Sequence, residues 1–490
     1  MTIPEPDVIL EKLTNIHDRC KKNKDISEEK LKRYFHRSGI LEVLRYDEED
    51  IHVEKTVKAQ KRTDIHVTDD YGNVVAVIEF KKPSVKNLRD HFDQLWKRYM
   101  IPLKAKYGFL YNGFELHFFK RIRDNYDKKF GMNVLDLESS DGAEIVKHIQ
   151  KPDYDLTNID VVTEYLEGFK EKEEKLNLKE EASREHFFEN FKLEKDSGFG
   201  DLLKATINLF NEMEKKEGYD FLKSAYDFWK MSYAKKPDKV PKKWKPIMKE
   251  CGLGKGKKDL YKFMFCLETT YALFTRLILA KSAEDYGFSD IRFVGFLENE
   301  IQRASWRKEI PRASWAKMTQ KLIENMKNKL VSSVFEEDIF YWWTEPYENQ
   351  SYEELYKYSI VDDLIIAADD FGEKIRKILL TFCKFDFSEI RGDPLGILYQ
   401  RYFDKETRKA LGEFYTPQEV VDYILDAVDY KGRKVLDKRL LDPACGSGTF
   451  LVTALKRYLN ASEDVAEDRG WNWVLDNLCN NYRIVGFDIH

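Results

Sequence analysis

The stretch Leu440-Leu441-Asp442-Pro443-Ala444-Cys445-Gly446-Ser447-Gly448-Thr449-Phe450 constrains this chain more than any other. Two leucines follow the apolar-edged run Arg433-Lys434-Val435-Leu436, so a buried strand is expected to end at Leu441. Asp442 and Pro443 then stop the ladder, because proline brings no N–H. Gly446 and Gly448 reach backbone angles closed to other residues, so the main chain can turn tightly and approach a ligand. Thr449 is placed to cap a helix whose apolar positions are Phe450, Leu451, Ala454, Leu455 and Tyr458. Strand, glycine turn and helix N-terminus together make a cradle for a small polar cofactor.

A chain of 490 residues has room for two or three domains and more than one core. Hydrophobic residues at 42% against 34% charged residues are those of a soluble globular protein. With a net charge of −5, any nucleic-acid contact must come from local basic patches. The six cysteines lie far apart without a Cys-x-x-Cys pair, which fits a reducing cytosol and offers no zinc spacing. The start has no signal-peptide pattern. The greasiest segment, Tyr261 to Ala280, carries Lys262, Glu268 and Arg276, so it reads as a buried helix rather than a membrane span. A cytoplasmic protein without a membrane partner is expected.

The first fifty residues read as helices, after which the period changes to two. Alternation runs through Ile51–Val57, Asp64–Val67 and Val74–Lys81, with the turn signal Asp69-Asp70-Tyr71-Gly72-Asn73 between the last two. A helix over Lys86–Met100 and a hairpin about Asn112-Gly113 follow. The order predicts a small α/β domain with a mixed sheet. A hairpin joins the strands of Asp64 and Glu79, so two carboxylates can converge beside the Phe80 carbonyl and the Lys81 ammonium. Two carboxylates and a carbonyl suit Mg²⁺, a hard cation that keeps several waters. Such a centre could stabilise charge at a phosphodiester, with Lys81 placing the attacking water. The bland alternative is a solvated strand end, since Glu-x-Lys is common by chance in so charged a chain.

These residues resemble the PD-(D/E)xK nuclease core in the form fused to restriction methyltransferases. The resemblance implies Asp64, Glu79 and Lys81 as catalytic residues, and Asp64, Glu79 and Phe80 as metal ligands. It also implies Gln94 and Tyr99 as an accessory pair and Glu28 or Glu29 as an additional acid. Gln94 and Tyr99 stand one residue further apart than is usual in that family.

Residues 151–390 read as mostly helical, opened by a charged passage. From Lys235 to Lys258 ten lysines gather with three prolines and a single aromatic, Trp244. Lys242, Lys243 and Lys245 could track a DNA backbone, or the segment is an ordinary exposed loop. Gly252-Leu253-Gly254-Lys255-Gly256-Lys257 fails phosphate-loop spacing, and with no ATPase motif elsewhere a DNA-translocating subunit is disfavoured. Trp342-Trp343-Thr344-Glu345-Pro346-Tyr347 reads as buried aromatics rather than a catalytic loop.

Further on, Thr416, Pro417 and Glu419 form a capping box, followed by apolar positions at Val420, Val421, Ile424, Leu425 and Val428. Tyr482–Asp488 reads as a second parallel strand ending in an acid. Asp488 lies forty residues beyond Gly448, about twice the usual interval for a carboxylate that holds ribose hydroxyls. Asp442, Pro443, Ala444, Gly446, Gly448, Thr449 and Phe450 resemble motif I of the DNA amino-methyltransferases. Phe414, Tyr415, Thr416 and Pro417 resemble motif X of the γ-type adenine-N6 enzymes. The resemblance implies that these residues, with Asp488, bind S-adenosylmethionine.

The expected fold is therefore α/β and α. A nuclease-like α/β domain covers 1–150, a helical connector 151–390, and the front of a Rossmann-like methyltransferase domain 391–490. The whole resembles the N-terminal part of a Type IIG restriction–modification enzyme acting on double-stranded DNA. The Asn/Asp-Pro-Pro-Tyr/Phe loop of that family is not among the 490 residues. The methyltransferase part is thus expected to be incomplete, loosely held and weak in cofactor binding, with a second chain supplying the remainder and the target-recognition domain. The alternative is a cofactor- or DNA-binding fragment without methylation of its own.

Overall fold

The computed structural model describes residues 6–23, 25–53, 64–122, 125–152, 154, 156–170, 174–194, 197–232, 240–288, 292–305, 308–329, 339–348, 350–356, 362–388, 402, 416–446 and 448–487. Two compact units divide the chain. The larger comprises Met1–Phe228 and Lys243–Pro394, the smaller Trp229–Lys242 and Leu395–His490.

The larger unit begins with helices α1 (Pro6–Lys22), α2 (Glu28–His36) and α3 (Ile40–Val43). Ser27 starts α2, its hydroxyl accepting the Lys30 N–H. A six-stranded sheet follows: β1 (Ile51–Val53), β2 (Ile65–Thr68), β3 (Val74–Phe80), β4 (Tyr107–Tyr111), β5 (Glu115–Ile122) and β6 (Asn125–Asn133), in that spatial order. Only β3 and β4 run parallel; the other neighbours are antiparallel. The turn before β3 is held by the Asp69 carboxylate, which accepts the N–H groups of Tyr71 at 3.0 Å and Asn73 at 2.8 Å. At the β4–β5 hairpin, Asn112 Oδ1 accepts from Phe114 and Glu115, and Gly113 takes φ +89°. The sequence pattern did not show β6, which is polar and largely exposed.

Every residue of β3 is buried, because both sheet faces are covered. Ala76, Ile78 and Phe80 share a core with Ile16, Leu31 and Phe35 of α1 and α2. Val77 joins Leu88, Leu95, Leu110 and Phe119 on the opposite face. The helix expected over Lys86–Met100 is composite: a 3₁₀ turn at Leu88–His91, then α4 (Phe92–Leu95), then a π turn at Trp96–Met100. The Ile101 N–H bonds the Trp96 carbonyl at 3.0 Å, the wide i→i+5 ring that admits one additional residue per turn.

Among the described residues beyond 150 the unit is mostly helical, with the short parallel pair β7 (Leu176–Asn177) and β8 (Phe385–Asp386) and a single bridge between Asn158 and Glu309. Helices Gly198–Glu214, Lys257–Asp285, Ser314–Lys329 and Asp363–Cys383 pack together. Lys257–Asp285 is long and apolar enough by length and composition to cross a membrane, yet 72% of its apolar window is buried inside the protein. Trp342 and Trp343 are fully buried, and the Trp342 indole N–H donates to Thr269 Oγ1 at 3.0 Å, in keeping with an aromatic packing role. Lys242 and Lys243 occupy an exposed turn, while Lys245 is exposed on the helix Trp244–Glu250. The expected loop is thus partly helical, anchored by buried Trp244.

In the smaller unit, helix Gln418–Ala427, a 3₁₀ turn at Gly432–Leu436, β9 (Leu440–Asp442), helix Thr449–Ala461, two further helices and β10 (Ile484–Gly486) succeed one another. β9 and β10 pair in parallel, Ile484 opposite Leu440. Several local expectations change here. The run Arg433–Leu436 winds into a 3₁₀ turn with Val435 buried and Leu436 packed beside it, and the strand is confined to three residues, none of them fully buried. Helix Gln418–Ala427 is capped by Pro417 without a side-chain hydrogen bond, so the Thr416–Glu419 box does not form. Gly448, at φ +80°, and not Thr449, caps the loop helix. Val421 and Leu425, four residues apart on one helix face, are buried with Ala454 and Tyr458. Val420, Ile424 and Val428 are turned toward solvent.

Candidate active site and cofactor loop

At the end of β3 the chain presents Glu79, Phe80 and Lys81. Alternation places Glu79 and Lys81 on the face covered by α4, and there Gln94 meets them. Glu79 Oε1 accepts from Lys81 Nζ at 2.6 Å and from Gln94 Nε2 at 2.7 Å. Glu79 Oε2 is buried without a hydrogen-bond partner. Burial first, then the neighbouring Asp64 charge, push the Glu79 carboxyl up to about 7. Asp64 arrives from the residue before β2, and its Oδ2 accepts the Phe80 N–H at 2.7 Å. Three segments thus bring Asp64, Glu79, Phe80, Lys81 and Gln94 to one place.

Helix α2 adds charges from above. Lys32, whose side chain is only 9% exposed, lies 3.0 Å from Glu29 and 3.4 Å from Asp64 Oδ1. Burial alone would lower its pKa; the hydrogen bond to Glu29 and the Asp64 charge outweigh burial and hold it above the ordinary lysine value. Glu28 is near enough to raise Glu79 further. His91 also faces the group: burial, then the Lys81 charge, depress its pKa. Tyr99 is placed elsewhere, buried at 2% exposure among Leu88, Leu95, Trp96 and Met100.

Sequence reasoning passed over Lys32 and His91. Lys32 was accessible to it, standing four residues after Glu28 on one helix face. His91 carried no local signal, because a 3₁₀ turn positions it. Among the described residues no group of three or more His, Cys, Asp or Glu side chains is arranged to hold a metal. The set available is two carboxylates and a backbone carbonyl.

In the smaller unit, the Asp442 carboxylate bends back to accept the Ala444 N–H at 3.2 Å. The Phe487 N–H bonds the Asp442 carbonyl, and the Cys445 N–H bonds the Phe487 carbonyl, each at 2.9 Å. The loop is therefore stitched to the chain beyond β10. Gly446 and Gly448 both take positive φ, at +51° and +80°. Pro443, Ala444 and Gly446 are exposed, whereas Thr449 and Phe450 are half-buried, Phe450 against the core of this unit. Gly486 leaves room for the loop: a Cβ there would stand 2.4 Å from Leu451 Cδ1 and 3.2 Å from Cys445 Sγ. Gln418 Nε2 donates to Thr453 Oγ1 at 3.0 Å, and Arg457 binds Asp422 and Asp426, so the helix after Thr416 and Pro417 is fastened to the loop helix. Phe414, Tyr415 and Asp488 lie outside the described residues.

Two family models match the chain. Residues 27–134 match the Type I restriction enzyme R protein N terminus. Residues 392–472 match N-6 DNA methylase. The first span contains Asp64, Glu79, Lys81 and Gln94; the second contains the glycine loop and the Phe414–Pro417 segment. Among named relatives, a Type I restriction enzyme methylase subunit of Methanocaldococcus jannaschii is 39% identical over 85 residues, 17% of this chain and 14% of that protein. The corresponding subunit of an Escherichia coli Type I enzyme is 31% identical over 99 residues, 19% of each. A Type II methyltransferase of Pseudomonas aeruginosa is 44% identical over 54 residues, 11% of this chain and 9% of that protein. The chain thus spans less than a fifth of the length of these relatives.

Proposed function

We propose that this chain is a restriction–modification polypeptide, with a Mg²⁺-dependent DNA-cleaving centre of PD-(D/E)xK type in its first 150 residues and an S-adenosylmethionine loop of an adenine-N6 methyltransferase at 442–450. The observation that carries the nuclease half is the meeting of Asp64, Glu79, Lys81 and Gln94 at the end of β3, with Glu79 Oε2 buried and unpartnered. An unpaired buried carboxylate oxygen is costly and suits a cation. Asp64, Glu79 and the Phe80 carbonyl would hold Mg²⁺, which supplies positive charge against the phosphodiester. The chain's own contributions follow from the geometry. Gln94 fixes the Glu79 rotamer by its hydrogen bond, the Phe80 N–H fixes Asp64, and Lys81 places a donor where an attacking water is oriented.

For the methyltransferase half, support comes from the stitched glycine loop, its two left-handed glycines and the N-6 DNA methylase match. Asp442, Pro443, Ala444, Gly446, Gly448, Thr449 and Phe450 would cradle the cofactor, with Thr416 and Pro417 on the adjoining helix. Double-stranded DNA is the partner this reading needs.

The test is cleavage of supercoiled plasmid in Mg²⁺ by wild type, Glu79→Gln and Lys81→Met, with cofactor affinity measured calorimetrically on the same samples. Wild type is expected to cut, both variants to lose cutting by about a hundred-fold or more, and all three to bind S-adenosylmethionine alike. Equal cutting by all three would place the chemistry elsewhere.

A further inference from the structure

The register of the sheet sets a row of residues across one face. Glu79 lies opposite Leu110, Leu110 opposite His117, and His117 opposite Gly131. At about 4.8 Å per strand, His117 stands roughly 10 Å from Glu79 along this row. It is 7% exposed, its Nε2 lies 3.3 Å from Glu115 Oε2, and its Nδ1 is buried without a hydrogen-bond partner.

Lys128 stands beside that nitrogen, and the charge of Arg89 acts on both. A Cβ on Gly131 would stand 2.8 Å from Lys128 Nζ and 2.9 Å from His117 Nδ1, so the missing side chain leaves an opening onto which both face. Arg89, on the 3₁₀ turn two residues before His91, is close enough to repel both: burial and then the Arg89 charge lower the Lys128 pKa. His117 is depressed by burial in the first place, with Glu115 opposing and Lys128 and Arg89 adding to the effect. Among the described residues neither the Arg89 nor the Lys128 side chain has an ion-pair or hydrogen-bond partner. Like charges held together beside an unpartnered buried nitrogen are a costly arrangement that an anion relieves.

We propose that Arg89, His117 and Lys128 form a phosphate-binding site for the DNA backbone, placed on the sheet row of the cleavage carboxylates. The guanidinium and ammonium groups supply charge, and a bound phosphate would favour a second proton on His117, whose Nδ1–H then donates to a phosphate oxygen while Nε2–H donates to Glu115. The inference rests on the nuclease reading for its biological sense, but its test does not require cleavage.

Binding of a fluorescent random-sequence duplex is measured in EDTA over a range of salt for wild type and for Arg89→Ser/Lys128→Ser, two positions exposed enough to change without harm to the core. The double variant is expected to bind about five-fold or more weakly at low salt, and its log K against log salt to flatten by about 0.9 for each phosphate no longer neutralised. Thermal melting confirms that it folds. An unchanged affinity and slope would overturn the site even if Mg²⁺-dependent cleavage and its loss in Glu79→Gln uphold the nuclease. Conversely, absence of cleavage with the expected drop in duplex binding would remove the nuclease reading and leave the phosphate site standing. Inorganic phosphate serves as the second probe: if it binds wild type and not the variant while duplex affinity is the same for both, the site is one for free phosphate and the proposal fails.

Discussion

Lys32 illustrates how a single side chain can set the state of a site. Its ammonium sits against Asp64 and Glu29 with little solvent around it, so it neutralises acid charge that a divalent cation would otherwise neutralise. Lys32→Met should therefore lower the stability of the metal-free protein by about 1–3 kcal/mol, the cost of leaving a half-buried carboxylate without its partner. The same change should tighten Mg²⁺ binding. Urea unfolding in EDTA and calorimetric metal titration would check both; equal metal affinity would mean that Lys32 is only structural. A second residue-scale case is the trio His52, His66 and His186. His52 and His66 stack at 4.6 Å between centroids, with His186 edge-on to both. Burial above all, helped by the neighbouring rings and Lys384, pushes His66 and His186 well below the usual histidine range, and burial lowers His52 to about 4. The other charges acting on the cluster, Glu189 and Lys192, oppose one another. Because the folded values are depressed, their contribution is whole above pH 6.5 and is lost as pH falls toward 4, by on the order of 2–3 kcal/mol for His52 alone. Urea midpoints between pH 7.5 and 5 should fall more steeply for wild type than for His66→Leu.

At the scale of elements, two glycines of the cofactor loop act by different means. Gly448 takes φ +80° with nothing nearer than Leu451 Cδ1 at 3.9 Å, so Gly448→Ala costs backbone conformation alone, about 1–2 kcal/mol. Gly486 lies beneath Leu451 and Cys445, so Gly486→Val costs packing, about 1–3 kcal/mol, and shifts the loop itself. Both should weaken S-adenosylmethionine binding, Gly486→Val the more, while plasmid cutting is unaffected; a cut-deficient Gly486→Val would contradict this. The first of these glycines was legible in the sequence and the second was not, because a glycine matters through what lies above it as well as through its own dihedral. The same distinction runs through the fold. Asp69–Asn73 and Asn112-Gly113 announced their hairpins through side chains that bond their own backbone. The meeting of Asp64 with Glu79-Phe80-Lys81 followed from the first of them. By contrast β6 has no apolar alternation to reveal it, since its strand partner supplies the burial. The short apolar run at 433–436 had too few residues to distinguish a strand from a 3₁₀ turn. His91 and the Arg89–His117–Lys128 group depend on approaches across elements, which no local pattern contains, whereas the Glu28–Lys32 spacing lies on one helix face.

For the whole molecule, a net charge of −5 means that the DNA contact proposed above would fall on restricted cationic regions rather than on the general field of the protein. Division into two compact units places the Asp64–Glu79–Lys81 cluster and the glycine loop in separate parts of one chain. Calorimetry should show S-adenosylmethionine, at a hundred times its Kd, adding about 2.7 kcal/mol to the unfolding of the smaller unit while the transition of the larger stays in place. A single transition displaced as a whole would mean that the two units unfold together. The wide turn at Trp96–Met100 has a consequence beyond this chain. A helix that swallows one inserted residue without losing its hydrogen-bonded path turns an insertion into a tolerated change of pitch. Searches that require a fixed interval between glutamine and tyrosine will pass over chains built this way.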